Sequence, residues 1–244
     1  MKFLAVVALV VAAGSASAQD FGLAGRDVSV ELGLGAQGRP VYPGSDDTDA
    51  APWLIWQNFQ IGTGGNPQGF SFSPSFSSIG ERDPSDDDAL AGMDQIDRAY
   101  ELGGKVSYGQ GPVTAYGTIR RGFGGHEGVV GELGTTYRTD LSNRVTLWSG
   151  VEFGWGNSEY SDTYFGVTPA ESVTSGYPEY APGSGFNSAA IKFRARYALN
   201  DRTAIMGEVE YGRLIGDAAD SPIVEDKYQP ALRLGIVRKF SFGF

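Results

Sequence analysis

The chain has 244 residues, with 19 Lys and Arg against 29 Asp and Glu and a formal net charge of −10. This balance argues against nucleic-acid binding, because phosphates demand a basic footprint. The absence of cysteine excludes disulfide bonds, thiolate metal sites and a lipid-anchored N-terminal cysteine. The 36 Gly and 12% aromatic residues are typical of antiparallel barrels built from short alternating segments.

The first residues have the three regions of a secretory signal peptide. Lys2 supplies the positive charge, residues 4–13 form an apolar run, and Ala16-Ser17-Ala18 is a small-residue cleavage site. The apolar run is shorter than the roughly 20 residues that a membrane-spanning helix needs. We therefore expect residues 1–18 to be cleaved and residues 19–244 to form one barrel domain.

Period-two alternation of apolar and polar residues predicts about ten strands. They lie near residues 27–36, 52–62, 68–78, 98–108, 113–123, 128–139, 144–156, 186–199, 203–215 and 228–244. One short helix is predicted in the 85–97 loop, with Ser85 as its cap and with Ala89, Leu90, Met93 and Ile96 on one face.

The connections between these strands alternate in length. Tight-turn sequences follow alternate strands, at residues 64–67, 109–112, 140–143 and 200–202. The other connections, apart from the short 124–127, are longer and more acidic: 37–51, 79–97, 157–185 and 216–227. Outer-membrane barrels have this topology, with turns in the periplasm and loops outside the cell.

The two faces of each strand differ in polarity. Leu232, Leu234 and Ile236 alternate with Arg233 and Gly235 in the last strand, and other strands repeat the pattern. The charged residues predicted to face inward are Glu101, Lys105, Arg120, Glu132, Arg138, Glu152, Lys192, Arg194, Arg196, Glu208, Glu210, Arg233 and Lys239. The prediction is an all-β, transmembrane, antiparallel up-and-down barrel. A soluble sandwich would also alternate, but it leaves the export signal unexplained.

The last strand ends in an alternating aromatic row, Phe240, Phe242 and Phe244. This ending resembles the recognition signal of outer-membrane barrels. It implies that the barrel-assembly machinery recognises these residues.

Strand alternation also predicts the register between strands eight and nine. Both strands face their odd-numbered residues outward, so the connection contains an odd number of residues, which Asn200-Asp201-Arg202 satisfies. Arg194 is then opposite Glu208, and Lys192 is opposite Glu210. These are the expected charge pairs of the lumen.

Few residues are candidates for chemistry. An enzyme would need His126, the single histidine, as its general base, but a solvated position among glycines is the expectation. Asp46-Asp47-Thr48-Asp49 and residues 83–88 could bind Ca²⁺ or Mg²⁺ but lack the spacing of a calcium loop. We therefore predict no catalytic, cofactor-binding or metal-binding residue.

A pore is the alternative use of the lumen charges. Eight strands enclose an interior that side chains just fill, whereas barrels of 16 or more leave a channel. Ten strands are close to the filled limit. Salt-bridged packing is therefore favoured over an open pore.

Several motifs together resemble the MipA/OmpV family of outer-membrane proteins. The most specific is the segment 213–224, which contains Gly216-Asp217-Ala218-Ala219-Asp220-Ser221-Pro222. Three further motifs support the resemblance: Tyr42-Pro43-Gly44-Ser45-Asp46-Asp47 after the first strand, Asp86-Asp87-Asp88 followed by Leu90, Gly92, Met93, Ile96 and Asp97, and Tyr164-Phe165-Gly166-Val167 before Ser175-Gly176. Tyr177 departs from the family pattern, which usually has Leu after Ser-Gly, and this weakens any role for that position.

The resemblance implies a non-enzymatic outer-membrane scaffold that links a murein-degrading lytic transglycosylase to a murein synthase. It supplies no catalytic residues. Outer-membrane lipid and lipopolysaccharide are the expected surroundings. A narrow channel for small solutes and a surface adhesin or antigen remain alternatives. A channel needs a continuous wet path, whereas a scaffold needs a periplasmic contact surface.

Overall fold

The computed structural model describes residues 27–61 and 68–243. The predicted signal peptide and Phe244 lie outside the described residues. The described chain contains ten strands: β1 (Asp27–Pro40), β2 (Thr48–Ile61), β3 (Gly69–Ile79), β4 (Ala99–Gln110), β5 (Val113–Gly124), β6 (Val129–Asp140), β7 (Val145–Gly156), β8 (Gly185–Ala198), β9 (Thr203–Leu214) and β10 (Tyr228–Gly243). Its helices are α1 (Ser158–Phe165), α2 (Pro169–Ser175), the single turn α3 (Gly216–Ala219) and a 3₁₀ turn (Asp88–Leu90).

All ten strands belong to one curled antiparallel sheet in the order β2-β1-β10-β9-β8-β7-β6-β5-β4-β3. The first and last strands of the chain pair with each other, which is the connection of an up-and-down barrel. β2 and β3 are the ends of this order, and no backbone ladder joins them within residues 27–61 and 68–243. None of the described helices is long and apolar enough to cross a membrane.

The outward face of the sheet is apolar and exposed. Leu34, Leu102 and Leu234 are each about 60% exposed or more, which only a lipid environment makes favourable. We call the end with long connections the loop end and the other the turn end. Exposed aromatic residues cluster towards both ends: Phe76, Tyr100, Phe123, Phe153, Phe186, Tyr211 and Tyr228 at the loop end; Phe70, Tyr108, Tyr137, Tyr197, Phe240 and Phe242 at the turn end. Transmembrane barrels carry such a pair of girdles at the two membrane interfaces.

The predicted helix over residues 85–96 is shortened to the 3₁₀ turn. Asp87, and not Ser85, caps it by accepting from the backbone N–H of Ala89 at 3.0 Å. Ser85 instead donates to Asp83 at 2.6 Å. Gly92 then adopts a φ of +82°, which ends any helix.

The sequence interpretation missed α1 and α2 in the 157–185 loop. Asn157 caps α1, and Thr168 and Glu171 form a capping box on α2. The first loop is also shorter than predicted, because β1 continues to Pro40 and β2 begins at Thr48. The long loops are therefore folded segments and not merely solvated connections.

Candidate functional site: a capped and ion-paired lumen

A chain of ion pairs covers the lumen wall formed by β7 to β10. β8 pairs with β9 so that Arg194 is opposite Glu208 and Lys192 is opposite Glu210, which is the register that side-chain alternation predicts. Arg194 Nε donates to Glu208 at 2.7 Å, and Lys192 Nζ lies 3.7 Å from Glu210. Arg233 of β10 donates to both carboxylates at 2.6 Å. The four predicted charges thus form one network with Arg233 and with Glu152 of β7, which Lys192 also contacts.

Other polar contacts cross the lumen between strands that are not neighbours. Arg196 of β8 donates to Glu31 of β1 at 3.0 Å. Arg194 donates to Gln57 of β2 at 3.3 Å, and Gln57 in turn donates to Glu31 at 3.0 Å. These side chains bridge β8 to β1 and β2 inside the lumen.

A second network lies on β4, β5 and β6. Arg120 donates to Glu101 at 2.9 Å and to Glu132 at 2.5 Å. Arg120 and Glu101 are buried. Buried charges of this kind are stable only when they are paired, and here each pairing is made.

An apolar layer contributed by β2, β9 and β10 lies inside the lumen towards the turn end. Ala204, Met206 and Val237 have no exposed surface, and Ile55 is buried against them with Trp53 alongside. Ala204 follows the turn at 199–202 by two positions, which places this layer near the turn end. The alternation of polar and apolar residues did not predict this layer, because both faces of β9 are apolar at its first residues.

The loop end is covered by interlocked loops, which we call the cap: residues 41–47, 80–98, 125–128, 157–184 and 215–227. The segment Gly216-Asp217-Ala218-Ala219-Asp220-Ser221-Pro222 lies at its centre. Ala218 and Ala219 pack against Tyr164 and Phe165. Ser221 Oγ donates to the Phe165 carbonyl at 2.6 Å.

The first loop joins the same cap. Tyr42 donates to the Ile223 carbonyl at 2.9 Å, and Ser45 donates to Asp87 at 2.8 Å. Gly44 has a φ of +112°, and a Cβ there would lie 2.6 Å from the Val224 side chain. Glycine is therefore required at this contact.

Within the cap, helix α2 is bonded to the 80–98 segment. Glu171 accepts from the backbone N–H of Thr168 at 2.9 Å and of Asp94 at 3.1 Å. Burial opposes the ionisation of Glu171, but these hydrogen bonds outweigh burial and hold its pKa below the ordinary value. Glu225 shows the reverse, since partial burial and the nearby Asp87 and Asp46 raise its pKa.

His126 is buried, which corrects the expectation of a solvated residue. Its ring packs edge-on against Tyr160 and Tyr164, with centroids 5.2 and 5.5 Å away, and Nε2 lies 3.3 Å from Glu101. A Cβ at Gly122 would lie 2.2 Å from this ring. Helix α1 supplies both tyrosines from more than thirty positions along the chain, so no local pattern reveals the burial.

The acidic loop residues remain dispersed. Asp46, Asp47 and Asp49 are exposed, while Asp87 is used by Ser45 and Ala89. Among the residues that the structure describes, no group of three or more His, Asp or Glu is arranged to hold a metal ion. Of the aromatic row at the end of β10, Phe240 and Phe242 face lipid with Ile236.

A curled antiparallel ten-stranded sheet with an apolar, girdled outside and an ion-paired inside defines a transmembrane β-barrel of the outer-membrane type. The family model described as MltA-interacting protein MipA matches residues 32–240, and the chain belongs to this family. The resemblance seen in the loop motifs is thereby confirmed, and these motifs are the segments that build the cap.

Relatives agree with this membership. The MltA-interacting protein of Escherichia coli (strain K12) is 27% identical over 149 residues, which cover 59% of this chain and 58% of that protein. YiaT of the same organism, named as an outer membrane protein, is 24% identical over 152 residues, 59% of each chain. The match thus spans under two thirds of these relatives. The chain is an outer-membrane protein.

Solved structures with a similar fold are more distant. An outer membrane channel from Pseudomonas putida F1 has a TM-score of 0.48 at 10% identity, covering 89% of this chain and 96% of that chain. OprG from Pseudomonas aeruginosa has a TM-score of 0.30 at 11% identity, covering 89% and 98%.

Proposed function

We propose that this protein is a non-enzymatic structural component of the outer membrane that holds murein-cleaving and murein-synthesising enzymes together. The observation that carries the proposal is the filling of the lumen. Cross-lumen hydrogen bonds, the apolar layer around Met206 and the cap place side chains across the interior at three levels. A barrel closed in this way offers its rims to other proteins and not its interior to solutes.

The charges of the lumen favour a structural role over catalysis. A catalytic base must reach the proton that it abstracts. His126 is enclosed by Tyr160 and Tyr164, and the neighbouring Glu101 is bound to Arg120. The groups that could act as acid or base are thus used for packing.

The partner class comes from the relatives. One of them is named for its interaction with MltA. We therefore infer a lytic transglycosylase as the first partner and a murein synthase as the second, both in the periplasm.

A narrow channel is the second candidate, and one observation favours it. The side chains of β3 that alternate with its lipid-facing phenylalanines are small hydroxyls, namely Ser71, Ser73, Ser75 and Ser77. They line the lumen on β3, which is the last strand of the sheet order. A thin polar path along them would require the smallest movement of lumen side chains.

Affinity purification tests the scaffold proposal. Envelopes of cells that carry a tagged chain are treated with a reversible crosslinker, and the captured proteins are identified by mass spectrometry. We expect a lytic transglycosylase and a murein synthase to be enriched over a tagged, unrelated outer-membrane barrel. Equal recovery of both enzymes with the two barrels would contradict the proposal.

A further inference from the structure

Four cations lie together at the turn end of β7 to β10. Arg144 precedes β7, Arg202 precedes β9, and Arg238 and Lys239 lie in β10. We call them the basic arc. We propose that the basic arc binds the carboxylates of murein itself, so that the barrel contacts the cell-wall polymer as well as its enzymes. This inference rests on the proposed function and on the turn end facing the periplasm.

Backbone hydrogen bonds hold the members of the arc side by side. Ala198 N–H donates to the Arg144 carbonyl at 2.8 Å, and Lys239 N–H donates to the Arg202 carbonyl at 2.7 Å. Neighbouring strands are about 4.8 Å apart, so four strands place the outermost members within about 15 Å. The backbones of the four residues therefore lie within one short stretch of the barrel rim.

The cations of the arc are available to an external anion. Arg144 and Arg202 are exposed in the turns, Lys239 is half-exposed on the lumen face, and Arg238 is exposed on the lipid face. None of the four is in an ion pair within residues 27–61 and 68–243. Some cations elsewhere on the surface are paired instead. Arg138 lies 3.0 Å from Asp140, and Lys227 lies 3.3 Å from Asp220.

The turns that carry the arc are stiff. Ser142 Oγ accepts from the backbone N–H of Arg144 at 3.2 Å. Asn200 Oδ1 accepts from the backbone N–H of Arg202 at 3.0 Å and of Thr203 at 2.9 Å. Fixed turns lose little entropy when a ligand binds, which favours recognition by a small number of charges.

The shape of the surface indicates a polymer as the partner. A stable protein complex buries about 1,200 Å² or more, and turns of a few residues offer little area. A flexible polymer with repeated carboxylates binds a surface that offers only positive charges at a suitable spacing. Murein carries such carboxylates on its peptides and lies directly below the outer membrane.

Most of the arc is directed away from lipid. Arg238 belongs to the lipid-facing row of β10, between Ile236 and Phe240. Lys239 belongs to the opposite, lumen-facing row, while Arg144 and Arg202 lie in turns. Lipid phosphates could therefore satisfy Arg238 but would leave the other three for a ligand in the periplasm.

Cosedimentation with purified murein sacculi tests the proposal. We expect the detergent-solubilised barrel to bind native sacculi, to bind less as salt rises, and to lose binding when the murein carboxyls are amidated. The variant R144Q/R202Q/K239Q should bind about tenfold more weakly. The control R121Q/R213Q/K227Q removes the same charge at the loop end and should bind like the wild type.

The shift between boiled and unboiled samples on SDS gels shows whether each variant is a folded barrel. Equal binding by the two triple variants, or undiminished binding to amidated sacculi, would overturn the proposal. Vesicles that contain phosphatidylglycerol form the other arm. Loss of vesicle binding without loss of sacculus binding in R144Q/R202Q/K239Q would assign the arc to lipid and overturn it too.

The result separates the two proposals. A barrel that captures murein enzymes but binds no sacculi contradicts only the basic-arc inference. A barrel that binds sacculi through the arc but captures no enzyme contradicts only the scaffold.

Discussion

At the residue scale, Glu208 is a tightly constrained charge of the lumen. It is 5% exposed and accepts from Arg194 and Arg233, which belong to the strands on either side of its own. A carboxylate in this position neutralises two guanidinium groups. Its removal leaves both without their shared partner, which costs more than the pairing itself contributes.

We expect Glu208→Ala to lower the free energy of unfolding by about 3 kcal/mol. Arg194→Ala should add little on top of it, because its partner is already gone. Equilibrium unfolding in urea of both single variants and the double variant measures this coupling. Asp220→Ala breaks the exposed pair with Lys227 and should cost less than about 1 kcal/mol. Strictly additive losses for Glu208 and Arg194 would contradict the pairing.

Glycine positions give a second residue-scale prediction. Gly122→Ala places a methyl 2.2 Å from the His126 ring, whereas Gly104→Ala meets nothing within 4 Å. We expect the first to cost about 1–3 kcal/mol through overpacking and the second to change stability little. Thermal unfolding of the two variants makes the comparison. Equal midpoints would show that His126 is not packed on β5.

At the element scale, strands and cap differ in how far the sequence predicts them. Strands follow a local rule. The alternation of polar and apolar residues therefore predicts all ten, and a connection with an odd number of residues predicts the register of β8 with β9. The cap depends on contacts between distant segments, such as Ser221 with Phe165 or Tyr42 with Ile223. Local propensity predicts a longer helix at 85–96, where the contact of Asp87 with Ser45 and the positive φ of Gly92 accompany a single turn. The capping box of α2, Thr168 with Glu171, is a local sequence signal for the start of this helix.

Glu171 makes the stability of the cap depend on pH. Its folded pKa lies below the ordinary value of 4.5, so its contribution is present above that value and is lost as pH falls through the folded pKa. We expect hydrogen exchange in residues 168–176, corrected for intrinsic rates, to speed up on acidification. The pKa of Glu225 is raised, so its titration changes the stability of the cap in the opposite direction. The variant Glu171→Gln is the control, because it removes only the titration of Glu171, and its exchange rates should change less with pH. Identical pH profiles would contradict the role of Glu171.

At the scale of the whole molecule, charge separates along the barrel axis. The loop connections are rich in Asp and Glu, the lumen pairs its charges, and the turn end carries the basic arc. The alternation of long loops and short turns predicts that the acidic end faces outward.

Cysteine labelling tests this orientation, because the native chain has none. We expect Asp46→Cys to react with an impermeant maleimide on intact cells and Asp201→Cys to react only after the outer membrane is opened. Both residues are exposed, so accessibility alone does not decide the result. Labelling at 201 but not at 46 would reverse the topology.

The central claim is that the lumen is closed, so that the barrel acts through its surfaces. Conductance of the purified protein in planar lipid bilayers tests it most directly, with a general porin as the positive control. We expect insertion without discrete conductance steps, because cross-lumen contacts such as Arg196–Glu31 and the layer around Met206 fill the path. Stable, reproducible steps from the wild-type protein would contradict a closed lumen and favour the channel.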